Sequence, residues 1–439
     1  MSLVFPCRPL AVAALLASFG VAALPPDHVH PPEAADEPPL TLRDAVARTL
    51  QTSPELAVFP MRRRTQEARV SAAALAPAPQ IETELENAFG TGRARGLDAS
   101  EATFSLSQVI ELGGQRRMRV EAARGASDVI EQQRAIAQLE VVAEVSRRFI
   151  HVASDQKQIE LTELATRLAR NTVTEVDRRV KAARSPEVEL HRARIALARA
   201  QVEQEHAEHE LLTSRRKLAA MWGARNDDDF GTVRADLFAL PQVRDYDALS
   251  ESLSNSPDFL FFATEARQRD AEIRLAEAKA RSPITVSAGA RWLAESDDAA
   301  LVAGASMPLF GRRHAQPAID EARALRESLD AERAGARVKA EASLFELVQE
   351  LRHGITEAEV LRDQVLPQMQ AALEATEYAW QRGRYGYLEW TEAQRERVAV
   401  QRALIEAAAK AHLFQVEIER LTGASATADV PDAVAGALR

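Results

Sequence analysis

The sequence predicts a mainly α chain in which long coiled-coil helical hairpins carry four short membrane strands. Three observations predict it: an internal duplication, two pairs of strictly alternating segments, and a very long helical run after each pair.

The duplication sets the organisation. VKAARSPEVELHRA from Val180 and WQRGRYGYLEWTEA from Trp380 align without a gap. Ala183 then faces Gly383, Arg184 faces Arg384, Glu189 faces Glu389 and Ala193 faces Ala393. The same offset links Gly223 to Gly423, and TSPEL at Thr52–Leu56 is echoed by NSPDF at Asn255–Phe259. Repetition on this scale means two copies of one structural unit. The boundaries read as a first copy over 40–223, a linker over 224–242, a second copy over 243–423 and a tail over 424–439, the two copies forming one integrated domain.

Residues 1–23 read as a signal peptide, with Arg8 ahead of an apolar run and Val21-Ala22-Ala23 at its end. Cys7 is the only cysteine and precedes that run, so the exported chain is expected to be held by packing without disulfides. Cleavage removes one cation (Arg8) and no acid, taking the formal charge from -10 to -11. That acidity argues against nucleic acid as a partner. No later stretch is long and apolar enough for a membrane helix, so any crossing must be made by strands.

Residues 24–39 form a proline-rich lead-in. Leu40–Leu50 predicts a short amphipathic helix with Thr41 as its cap and Asp44 in the first turn. Pro54 is expected to open a second helix to about Leu75, stopped by Pro77 and Pro79. Gln80–Phe89 then alternates: Ile81, Thr83, Leu85 and Phe89 on one side, Glu82, Glu84 and Glu86 on the other. Its length suits a tilted membrane strand. After a glycine-rich loop, Ala102, Phe104 and Leu106 return against Thr103, Ser105 and Ser107. In the second copy Ile284, Val286, Ala288, Ala290 and Trp292 oppose Thr285, Ser287 and Arg291, and LVAGASM from Leu301 brings the chain back. Phe89 and Trp292 read as aromatic girdle residues ending their strands at matching places, and Glu82, Glu84, Glu86 and Arg291 as lumen residues. Half-buried hairpins of a soluble domain would show the same alternation.

From Gln115 to about Val180 there is no proline, and Val145, Val152 and Ile159 recur every seventh residue beside Val142 and Phe149. That is a coiled-coil seam. A turn at Ala182–Pro186 and a return helix from Glu187 to Trp222 complete the copy. The second copy is expected to run from about Pro317 to Arg382, turn at Gly383–Gly386 and return to Leu421.

No catalytic or cofactor motif is present; GTGRARG at Gly90–Gly96 has the wrong spacing for a phosphate loop and joins two strands. His206 and His209 lie among glutamates without an evident third ligand and read as a solvated charged face. Glu189, Glu389 and Glu392 sit in the first turns of the return helices. They are the better candidates for a functional role; the alternative is ordinary placement of acids by the helix dipole.

LTLRDAVARTLQTSPEL, the two strand pairs, FSLSQVIELGGQRRMRVEAA at Phe104–Ala123 and the two turn segments together resemble the TolC-like outer-membrane efflux family, over about Leu40 to Gly423. VIELGGQRR resembles its heavy-metal branch, the partners of cobalt–zinc–cadmium pumps. The resemblance implies no enzyme and no cofactor, but a homotrimer in outer-membrane lipid. Its twelve-stranded barrel would continue as a periplasmic helical tunnel. It further implies a periplasmic adaptor and an inner-membrane pump of the RND type as partners. Ala183, Arg184, Ser185, Gly383, Arg384 and Tyr385 would meet the adaptor, while Glu189, Glu389 and Glu392 would form the constriction. Ala183 departs from the family pattern, which has glycine there. The competing class is an exported periplasmic coiled-coil adaptor or other structural protein; an adaptor would carry one helical hairpin flanked by soluble β domains, not two copies of alternating strand pairs.

Overall fold

The computed structural model describes residues 39–226 and 230–423. The expected signal peptide, all of the lead-in except Pro39, and the tail after Gly423 lie outside the described residues.

Helix α1 (Leu42–Thr52) begins at a capping box: Thr41 Oγ1 accepts from the Asp44 N–H, and the Asp44 carboxylate accepts from the Thr41 N–H, both at 3.3 Å. The second helix, α2 (Val58–Ala73), starts later than expected. Ser53 and Pro54 belong to a separate turn, closed by the Ala57 N–H on the Ser53 carbonyl.

Four strands follow in the two copies: β1 (Gln80–Glu86), β2 (Glu101–Ile110), β3 (Ile284–Leu293) and β4 (Asp298–Ser306). They form one antiparallel sheet in the order β1-β2-β3-β4. Because paired residues share a face, the register sorts the side chains. Leu85, Ala102, Trp292 and Ala299 form one rank; Thr83, Phe104, Ala290 and Leu301 the next; Ile81, Leu106, Ala288 and Ala303 a third. Nothing among the described residues covers this apolar face: Ile81 is 80% and Leu301 93% exposed. The other face carries Glu82, Glu84, Glu86, Glu101, Thr103, Ser105, Ser287 and Arg291.

Phe89 is the exception. The strand stops at Glu86, and Asn87 and Phe89 take positive φ of 52° and 55°, which turns the chain out of the sheet. Phe89 therefore lies beyond the strand end, and the residue level with Trp292 on β1 is Leu85.

Helix α3 spans Gln115–Lys181 without a break, about 100 Å at 1.5 Å per residue. Its expected seam holds as far as Val152: Val145 and Val152 are fully buried and Phe149 nearly so, while Ile159 is half-buried. Val145, Phe149 and Val152 join Val46, Trp222, Phe230 and Val233 in one core. Helix α4 (Glu187–Ala219) returns and ends in a 3-10 turn at Ala220–Trp222. Gly223, at φ 83°, closes the first copy against Pro54; Gly423, at φ 71°, closes the second against Pro257. The SP dipeptides that echo one another in sequence thus receive the two chain ends in the same way.

The second copy is built from α5 (Tyr246–Leu253), α6 (Pro257–Lys279), α7 (Gly311–Val360), a π-helical turn at Leu361–Val365, α8 (Leu366–Gln381) and α9 (Tyr387–Thr422). Here α7 begins six residues before Pro317, which sits inside it. Lacking an N–H, Pro317 removes only one bond near the start of the helix. The described residues of the linker carry no regular helix or strand yet are anchored. Leu40 and Val233 form a parallel bridge, and Leu237 is buried against α3 and α9. Arg147 bonds Glu140, Glu144 and Glu417 at 2.8, 2.9 and 2.5 Å, and Arg420 bonds Glu140 at 2.6 Å. This ionic group ties α3 to α9 at mid-height.

Candidate tunnel tip and barrel face

Both helical hairpins turn by the same device. The Ala183 N–H reaches the Val180 carbonyl at 2.9 Å and the Arg184 N–H the Arg179 carbonyl at 2.8 Å. In the second copy Gly383 bonds Trp380 and Arg384 bonds Ala379, each at 2.9 Å. The residue after each helix end is left-handed, φ 57° at Ala183 and 71° at Gly383. This is the helix-ending conformation that favours glycine. The alanine therefore keeps the geometry at some cost in strain. Arg184, Arg384 and Tyr385 are exposed at the ends of the hairpins, with Ser185 half-buried.

The two tips share one core. Val176, Leu190, Ala193, Leu373, Trp380, Tyr387, Trp390 and Ala393 are buried together. The Trp380 and Trp390 rings stack with centroids 4.0 Å apart and planes at 17°. The Arg179 guanidinium lies 4.3 Å over Trp380 and donates to its carbonyl at 3.1 Å. Sequence reasoning passed over these groups. The available signal was two tryptophans flanking a helix-ending glycine in a chain with only four.

The three acids do not form one cluster within a chain. Glu389 is exposed in the first turn of α9, and a Cβ on Gly386 would come within 2.8 Å of its Oε2, so its carboxylate folds back over the helix start. Glu392 is exposed and pairs with Arg395 at 3.2 Å. At 100° per residue both occupy the face of α9 opposite Tyr387, Thr391, Gln394 and Val398. Those four line a groove of about 690 Å³ with residues of α3 and α4, among them Ala169, Ala196 and Arg199. Glu189 is half-buried at the start of α4. Burial raises the pKa of the Tyr387 hydroxyl; Glu189 adds to the rise, and Arg395 and Arg192 oppose it.

On the polar face of the sheet Arg291 spans three strands. It reaches Glu86 at 3.0 Å, Glu101 at 2.7 Å and Thr103 Oγ1 at 2.9 Å. Glu101 and Thr103 were not expected there as partners; only the register reveals them. Glu82 and Glu84 form no ion pair among the described residues. Trp292 is 46% exposed on the apolar face. His206 pairs with Glu210 at 3.3 Å, and no group of three or more His, Cys, Asp or Glu among the described residues is arranged to hold a metal. No described helix is long and apolar enough to cross a membrane.

Residues 45–224 match the sequence profile of the Outer membrane efflux protein family. The cobalt-zinc-cadmium resistance protein CzcC of Cupriavidus metallidurans is 28% identical over 403 residues, 88% of this chain and 91% of that one. Among solved structures, the outer membrane protein VceC of Vibrio cholerae superposes with a TM-score of 0.69 at 18% identity, covering 87% of this chain and 96% of that chain. CusC, described as forming a transmembrane channel, gives 0.69 at 15% identity over 87% and 91%. These likenesses establish the fold: long helical hairpins under a small sheet.

Proposed function

We propose that this chain is a TolC-like outer membrane efflux protein, as its match to the Outer membrane efflux protein family supports, and that three copies form the exit duct of a tripartite heavy-metal efflux system. As an efflux channel of the outer membrane it has a large periplasmic part. The observation that carries the trimer is the sheet itself. Its order leaves β1 and β4 as open edges, and its apolar face is uncovered. Lipid tolerates neither an open edge nor unpaired backbone groups. Three copies give a closed barrel of twelve strands, an even number within the known range. The face with Glu82, Glu84 and the Arg291 bridge then lines the lumen, and the face with Phe104 and Leu301 meets lipid.

Conduction is passive: an inner-membrane pump of the RND type supplies the energy, and a periplasmic adaptor docks at Ala183–Ser185 and Gly383–Tyr385. In this reading the groove backed by α3 and α4 faces outward, and Glu389 and Glu392, on the opposite side of α9, face the tunnel. Tripled by symmetry, the two acids make rings that attract cations. The metal substrate is supported by the likeness to CzcC, a cobalt-zinc-cadmium resistance protein.

Reconstituted Glu389→Gln/Glu392→Gln protein is expected to lose its cation preference and its block by multivalent cations from the tip side. Unchanged selectivity and block, with trimers intact, would put both acids off the pore.

A further inference from the structure

The helices that leave the barrel begin with the wrong charge. α1, α4, α5, α6 and α9 all carry an acid in the first turn, as the helix dipole favours. α3 and α7 carry none, and neither do α2 and α8, but only α3 and α7 put two arginines there. Instead Arg116 and Arg117 open α3, and Arg312 and Arg313 open α7, at the corresponding place in each copy. The dipole opposes two cations there, so some other partner must favour them.

Among the described residues only one long contact to an acid meets them. All four arginines are exposed. The Arg117 side chain is 78% exposed and its ion pair, to Glu121, is long at 3.8 Å; Arg116, Arg312 and Arg313 form no ion pair among the described residues. Arg119, one turn on, shows what a structural arginine looks like here. It bonds Glu111 and donates to the Ala73 and Leu75 carbonyls at 3.1 and 2.9 Å.

Beside the cations stands an apolar fringe. The outward alternation of β4, through Leu301, Ala303 and Ala305, runs on into Met307 and Leu309 past the strand end. Leu309 is 67% and Phe310 75% exposed. Phe310 is also held at φ 62°, a strained conformation for a side chain of its size. The apolar face of the sheet thus ends in a bulky apolar rim, with arginines immediately below it.

We propose that this foot of the barrel binds anionic phospholipid of the periplasmic leaflet. Leu309 and Phe310 sit at the acyl–headgroup boundary, and Arg116, Arg117, Arg312 and Arg313 take the headgroup phosphates. The proposal rests on the reading that the sheet lies in the outer membrane. A surface arginine near such headgroups is worth about a fivefold preference, and a trimer would offer twelve.

The test is native mass spectrometry of the full-length protein. It is released from detergent with equal amounts of phosphatidylglycerol and phosphatidylethanolamine, and the ratio of retained lipids is read. Wild type is expected to retain phosphatidylglycerol preferentially. Arg116→Gln/Arg117→Gln/Arg312→Gln/Arg313→Gln is expected to lower that ratio at least about tenfold. If the quadruple variant fails to assemble, Arg312→Gln/Arg313→Gln alone should lower it about fivefold or more. An unchanged ratio in assembled trimers overturns the proposal. So does displacement of the lipid by millimolar inorganic phosphate, which would mark a site for free anions. Failure of the outer-membrane reading shows separately, as wild type that does not migrate as heat-modifiable trimers from an outer-membrane fraction.

Discussion

The two helical hairpins follow one plan but are not equivalent. α3 runs as a single helix for 67 residues, whereas its counterpart is interrupted by the π turn at Leu361–Val365. Pro367 explains the interruption: it cannot donate to the Asp363 carbonyl four residues back, and a π turn absorbs the mismatch. At the tip the first copy supplies Ala183 and Leu190, the second Gly383 and Trp390. The difference teaches that duplication preserved the points where the chain must turn, while the contents of the tip diverged. The second copy holds the stacked tryptophans, the relaxed turn and two of the three acids.

Three measurements can break or sharpen this contrast. The largest effect is expected at the stack. Trp380 and Trp390 are 3% and 5% exposed, so Trp390→Ala should cost the tip about 3–5 kcal/mol. Trypsin should then cut at Arg382 and Arg384 much faster. Leu190→Ala, at the corresponding place in the first copy, removes a smaller side chain from the same core and should accelerate cleavage less. Equal acceleration would mean that the two hairpins contribute alike.

A smaller effect, opposite in sign between copies, is expected at the turns. Gly383→Ala puts a Cβ on a left-handed residue and should cost about 1 kcal/mol in denaturant unfolding. Ala183→Gly relieves the same strain and should be neutral or stabilising by up to about 1 kcal/mol. Destabilisation by both would show that Ala183 contributes contacts that outweigh its backbone strain.

The smallest effect concerns the linker. A His412 ring nitrogen lies 3.0 Å from the Leu237 carbonyl, and burial holds the imidazole pKa below its ordinary value. The matching residue of the first copy is Leu212, 52% exposed, so only the second copy has this clasp. With the folded pKa depressed, the unfolded chain takes the proton first, at about pH 6.5. The stabilisation is therefore complete above that pH and is lost as pH falls through the folded value. Amide exchange around Leu237, corrected for intrinsic rates, should quicken between pH 7 and pH 5, and less so in His412→Gln. An identical pH response in the variant would remove His412 from the clasp.

Much of this was legible in the chain alone because it rests on local rules. Alternation identified both faces of every strand, since side-chain direction along a strand has period two. Thr41 marked the cap of α1 and Asp44 its first turn, and Gly383 and Gly423 marked helix ends through a backbone conformation that glycine adopts without strain. Pro54 and Pro317 misled for the complementary reason. Proline limits where a helix can begin, but neighbouring backbone bonds decide whether it begins there.

The sequence by itself determined the duplicated order of elements, the two strand pairs and the positions of the tip turns, because each follows from patterns within a few residues. Tertiary structure decided that Arg291 bridges Glu86 and Glu101, that Arg179 covers Trp380, and that Glu389 and Glu392 lie opposite the groove facing α4. Those outcomes depend on strand register and on the rotation of one helix against another. Both are set by side chains far apart in the chain that come to share a single buried volume.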